Sequence, residues 1–98
     1  MDLDTLEIRH EEAGDRGSFF IEENGERVAE QSYQRVDARH VIIDHTVVNP
    51  KVRLRGVGRR MMDRLIAWAR AEGIRVSATC SYAQAQFDKD PSIRDVLG

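Results

Sequence analysis

The sequence predicts an α+β fold: a mixed, mostly antiparallel sheet of about five strands, one long helix after the fourth strand, and short helices at the C-terminal end. Three observations predict it. Four β-like runs between residues 6 and 48 are separated by Gly, Asn or Asp turn signals. The stretch from Val57 to Ala71 carries a helical period instead. A further apolar run, Ile74 to Cys80, follows that helix, so the helix joins two strands that can lie side by side and parallel, with a right-handed crossover.

Leu6 to Glu11 alternates weakly and reads as the first strand, closed by the turn Ala13-Gly14-Asp15-Arg16-Gly17. Ser18 to Glu23, with Phe19, Phe20 and Ile21, is the second strand, and Asn24-Gly25 is a two-residue hairpin signal because both residues tolerate positive φ. Arg27 to Arg35 is the third strand, ended by the turn Asp37-Ala38-Arg39. His40 to Val48 is the most β-like run, and its apolar residues fall on both faces, as in a central strand. In the helix, Val57, Met61, Leu65 and Trp68 form one stripe, widened by Met62, Ile66 and Ala69. Arg59, Arg60, Asp63, Arg64 and Arg70 take the other face, and Gly73 is placed to stop the helix in a left-handed conformation. Ser81 to Phe87 reads as a short helix, and Asp90-Pro91 as an N-cap with proline at the first helical position, opening a last turn through Val96.

Length and composition bound the function. Ninety-eight residues make a single domain, 1–98, and 41% hydrophobic with 33% charged residues fits a soluble globular protein. No apolar run approaches a membrane span, and Met1-Asp2-Leu3-Asp4 lacks a signal peptide's basic and apolar regions. A single cysteine excludes an internal disulfide, and scattered histidines offer no zinc spacing, so no metal is expected. A cytoplasmic protein is the expectation. The net charge of -2 hides an asymmetry: residues 1–32 hold ten acids against three arginines, whereas no acid occurs from Lys51 to Met62. A local positive site on a mildly acidic chain suits a discrete anionic ligand better than a long nucleic acid, and no aromatics are interleaved there for base stacking.

That site lies at Lys51 to Arg60, between the fourth strand and the helix, where five cations surround Gly56 and Gly58. The first N–H groups of a helix have no internal partner and carry the positive end of its dipole. Glycines beside them let a phosphate approach the backbone. A phosphate-bearing ligand is therefore expected.

Arg53-Leu54-Arg55-Gly56-Val57-Gly58 fits Arg/Gln-x-x-Gly-x-Gly/Ala and resembles the acyl-CoA pyrophosphate loop of the GNAT superfamily of N-acetyltransferases. The strand before it, the amphipathic helix after it and the next strand give the motif its context. The chain is also similar to the small stand-alone YjdJ-type acetyltransferase-like family, in Asp44-His45-Thr46, the Arg-rich glycine loop, Cys80-Ser81-Tyr82-Ala83, Phe87 and the tail from Pro91 to Leu97. Two departures stand out: Leu54 replaces a common glycine, and Val47 replaces a common acidic residue beside the site.

The resemblance implies acetyl-CoA as substrate and an unidentified acceptor. Backbone groups of Val47 and Val48 would pair with the pantetheine arm, and N–H groups of Gly56, Val57, Gly58 and Arg59 would hold the pyrophosphate. Arg53 and Arg55 would add charge-assisted bonds to phosphate oxygens. Cys80 would accept the acetyl group as a thiolate, or else pack as a small apolar residue. His45 would serve as its base or orienting partner, or be a satisfied surface histidine. Tyr82 would wall the pocket or protonate the leaving thiolate. A CoA-binding module without catalysis is the alternative, argued from Val47 and from the missing acceptor-binding helices. A nucleic-acid-binding domain using residues 51–60 fares worst.

Overall fold

The computed structural model describes residues 7–51 and 56–98. It contains five strands in one sheet, β1 (Arg9–Ala13), β2 (Arg16–Glu23), β3 (Glu26–Asp37), β4 (His40–Val48) and β5 (Arg75–Ala78). The helices are α1 (Val57–Glu72), α2 (Ser81–Lys89) and a 3-10 helix (Pro91–Val96). Strand order follows the sequence, β1-β2-β3-β4-β5, with the first four antiparallel and β4 to β5 parallel. The predicted fold class is the observed one. Ends differ by a few residues: β1 spans Arg9 to Ala13 rather than Leu6 to Glu11, and β5 stops at Ala78 rather than Cys80.

The turns follow from residue chemistry. Asn24 and Gly25 both have positive φ, 55° and 80°, the pairing whose twist matches that of the flanking strands. Gly73, at φ 67°, ends α1, and the N–H of Ile74 bonds to Ala69 O at 2.8 Å.

One face of the sheet carries the core. Phe19, Tyr33, Val41, Ile43 and Val76 meet Met62, Leu65, Ile66 and Ala69 of α1, with Ala83 and Phe87 of α2 and Ile93 and Val96 beyond. Ile21, Val28 and Ala29 pack on Val57 and Met61 at the start of α1. Trp68 is only partly buried because it lies at the margin, edge-on to His10 at 4.8 Å and near Tyr33. His10 Nε2 and Tyr33 Oη are 2.6 Å apart. Burial and the Glu12 carboxylate push the Tyr33 hydroxyl far above the ordinary phenol range, so it stays neutral and hydrogen-bonded.

β4 changes face midway. Ser32 pairs with His45 and Tyr33 with Ile43, so Asp44 is the extra residue of a bulge. Before the bulge, Val41 and Ile43 are the buried residues; after it, Thr46 and Val48 are the half-buried ones, while His45 and Val47 are exposed. Asp44 itself bonds Ser32 Oγ at 2.7 Å and Arg16 at 2.6 Å. Partial burial works against its charge, but these two bonds outweigh that and hold its pKa below the usual carboxylate value.

Candidate active site

The parallel pairing of β4 and β5 ends at Ile43 with Ala78. Beyond it the N–H groups of Thr79 and Cys80 both turn onto Ile43 O, at 3.0 and 3.2 Å, and the chain leaves the sheet for α2. Residues His45 to Val48 pair with β3 on one side and have no β5 partner on the other. The two strands therefore part. In the gap is a cleft of about 320 Å³ lined by Thr46, Val48, Gly56, Gly58 and Tyr82.

One end of the cleft is the start of α1. Gly56 is the N-cap at φ 71°, a conformation that strains other residues. Among the described residues no side chain caps this helix, and its first turn holds no acid. The first intrahelical bond runs from Arg60 N to Gly56 O at 3.2 Å, which leaves the N–H groups of Val57, Gly58 and Arg59 ahead of it. Such an open helix start is suited to an anion. Gly58 lies against Tyr82: a Cβ there would sit 3.1 Å from the tyrosine hydroxyl.

Arg59 divides its parts between two tasks. Its backbone N–H faces the open helix start, but its side chain bonds Asp63 at 2.8 Å, Gln86 at 3.0 Å and the Asp90 carboxylate. The guanidinium thereby ties α1 to α2 and to the 3-10 helix, rather than reaching for a ligand. Asp90 also accepts from Ser92 N at 2.9 Å and Ser92 Oγ at 2.6 Å. These bonds, with Arg59, lower its pKa to about 2. Arg53 and Arg55, expected to reach phosphate oxygens, lie outside the described residues.

The other wall carries Tyr82, and Cys80 lies two residues before it. Cys80 is the N-cap of α2, two residues past the end of β5, and its carbonyl accepts Gln84 N at 3.0 Å. Its Sγ bonds Thr46 Oγ1 at 3.4 Å. Thr46 also accepts from Gln31 Nε2 at 3.0 Å. Burial raises the Tyr82 pKa, with Arg59 pulling the other way, so its hydroxyl carries a proton at neutral pH.

The structure thus sets Val48, Gly56, Gly58 and Tyr82 around one cleft, with Val57 and Arg59 in the helix turn that opens it and Cys80 bonded to Thr46 of its lining. It does not set His45 against the thiol. Strict alternation from Val41 and Ile43 would have put His45 on the cleft side; the extra residue Asp44 puts Thr46 there instead. Val47 turns its side chain to solvent, so only its backbone edge faces the gap. Thr46 and Gln31 are the site residues that sequence reading missed, because a bulge leaves no signature in an apolar run.

The fourth and fifth strands thus part beside a glycine-opened helix start suited to an anion. The model of the GCN5-related N-acetyltransferase family matches residues 18–96, and the chain belongs to that family. A GCN5-like candidate N-acetyltransferase from Staphylococcus aureus, solved by NMR, is 29% identical with a TM-score of 0.74, over 98% of this chain and 91% of that one. A GNAT family acetyltransferase from Elizabethkingia anophelis with acetyl-CoA bound has a TM-score of 0.66 at 14% identity, over 88% of this chain and 74% of that one. Tetrahymena GCN5 has a TM-score of 0.63 at 18% identity, and 76% of this chain covers 49% of it. Among curated proteins, no sequence matches. Among the described residues, no helix is long and apolar enough to cross a membrane.

Proposed function

We propose that this protein binds acetyl-CoA in the β4–β5 cleft and moves the acetyl group to an amine acceptor, working as a cytoplasmic domain spanning 1–98 of the small YjdJ-type group. The observation that carries this is the cleft itself: a glycine-opened α1 start at one end, a β4 edge without a β5 partner along it, Tyr82 on the far wall, and Cys80 bonded to Thr46 of the lining. The N–H groups of Val57, Gly58 and Arg59 take the pyrophosphate, joined by Arg53 and Arg55. The backbone of Val47 and Val48 pairs with the pantetheine arm, as an added strand would. The two amides of that arm can donate to and accept from a strand edge that β5 has left free.

Cys80 is assigned the role of acyl acceptor. Its thiolate attacks the thioester carbonyl; the carbonyl-to-CoA sulfur bond breaks as the carbonyl-to-Sγ bond forms. The departing CoA thiolate takes the Tyr82 proton, which the tyrosine regains from solvent. The amine then attacks acetyl-Cys80, the carbonyl-to-Sγ bond breaks, and the amine's proton leaves to solvent.

Calorimetry with acetyl-CoA tests the binding step, and absence of heat at millimolar ligand sinks it. Labelled acetyl-CoA tests the covalent step: label is expected on the wild type and absent from C80A. A second reading, a CoA-binding module without turnover, is favoured by the connection from β1 to β2. There the chain passes through Gly14 and Asp15 alone, with no helix to shape an acceptor site. CoA binding without label transfer to any amine would favour it.

A further inference from the structure

We infer that Thr46, pinned by Gln31, is a positioning residue that holds and solvates the Cys80 sulfur. The inference rests on the acetyl-transfer reading of the cleft, but its observations are separate. Gln31 is fully buried in the middle of β3, and its Oε1 has no hydrogen-bond partner. An apolar side chain would fill that space without leaving a polar atom unsatisfied, so packing does not explain a glutamine there. What Gln31 does make is the Nε2–H bond to Thr46 Oγ1 at 3.0 Å. That bond occupies one lone pair of the hydroxyl. The Cys80 S–H, 3.4 Å away, takes the other.

The consequence is directional. With one lone pair held by Gln31, the hydroxyl cannot turn freely. When Sγ loses its proton, the lone pair that accepted S–H is released and the Thr46 O–H swings to donate to the sulfur anion. Thr46 keeps its own proton throughout, and the thiol proton leaves to solvent or to the base. A chain Gln31–Thr46–Cys80 thus reaches from the buried sheet to the cleft wall. The other groups acting near the sulfur are Tyr82 on α2, with Arg59 and Asp63 on α1 bearing on that tyrosine. His45 precedes Thr46 on β4 with its side chain exposed.

The test reads the sulfur without acetyl-CoA. Cys80, the only cysteine, is alkylated with iodoacetamide across pH; its carbon–sulfur bond forms as iodide leaves. T46V is expected to slow alkylation at pH 7 about tenfold, the effect of losing one hydrogen bond to a charged group, with the limiting rate at high pH unchanged. T46S, which keeps the hydroxyl, restores the wild-type profile. Q31M, which frees the hydroxyl but fills the space, falls between the two. If T46V gives the wild-type profile while its circular dichroism shows a native fold, the inference is overturned. If T46V does not fold, Q31M and T46S decide, and wild-type behaviour of Q31M overturns it equally. Transfer by C80A at the wild-type rate would sink the covalent route and leave the alkylation result standing.

Discussion

The two halves of β4 carry the same kind of residues and do different work. His40 to Ile43 is hydrogen-bonded on both sides, to β3 and to β5, and Val41 and Ile43 are fully buried. His45 to Val48 is bonded to β3 alone, and Val47 is 63% exposed. One extra residue, Asp44, separates them, fixed by Ser32 and Arg16. The first half is core; the second is a site, because its backbone edge is left for a ligand and its side chains Thr46 and Val48 line the cleft. A single strand can thus supply stability at one end and recognition at the other when a bulge resets which side chains face inward.

That contrast can be broken by substitution. The largest effect is expected in the first half: I43A should lower stability by about 2–5 kcal/mol, read as a urea midpoint shift, because it empties fully buried space. G17A comes next. A Cβ there would meet the Tyr33 ring at 2.4 Å, so about 1–3 kcal/mol of overpacking is expected by the same measurement.

On the cleft side the effects should appear in ligand binding before stability. G58A brings a methyl group to 3.1 Å from the Tyr82 hydroxyl and narrows the cleft. Acetyl-CoA affinity by calorimetry is expected to fall about tenfold, the equivalent of about 1.4 kcal/mol. Unfolding should change little, since alanine's helix propensity offsets the crowding.

The smallest effect is expected at Asp90, which ties the 3-10 helix to α1 through Arg59. Its folded pKa of about 2 lies below the ordinary 3.8. A depressed carboxylate pKa stabilises the fold above the ordinary value, and that contribution is lost as pH falls toward about 2. D90A should therefore melt below the wild type at neutral pH, and the two melting curves should converge as pH approaches 2.

Much of the architecture was legible in the residues. Asn24-Gly25, Gly73 and Asp90-Pro91 each marked an element end through their own backbone or side-chain chemistry, and α1 was visible in the spacing of Val57, Met61 and Leu65. The Gly56 and Gly58 helix start was legible for the same local reason. The thiol's partner was not. Which of His45 and Thr46 meets Cys80 depends on register across β3 and β4, a non-local property in which one inserted residue exchanges the two faces.

The order of elements, the glycine-opened start of α1 and the concentration of positive charge before it are written in the residues themselves. Those are local facts, set by side-chain periodicity, by glycine's access to positive φ, and by the absence of acids from 51 to 62. The parting of β4 and β5 after Ile43, the hold of Asp90 on Arg59, and the meeting of Gln31, Thr46 and Cys80 arise from packing in three dimensions. Each of those joins residues more than ten positions apart, and only strand pairing and helix packing bring them within reach.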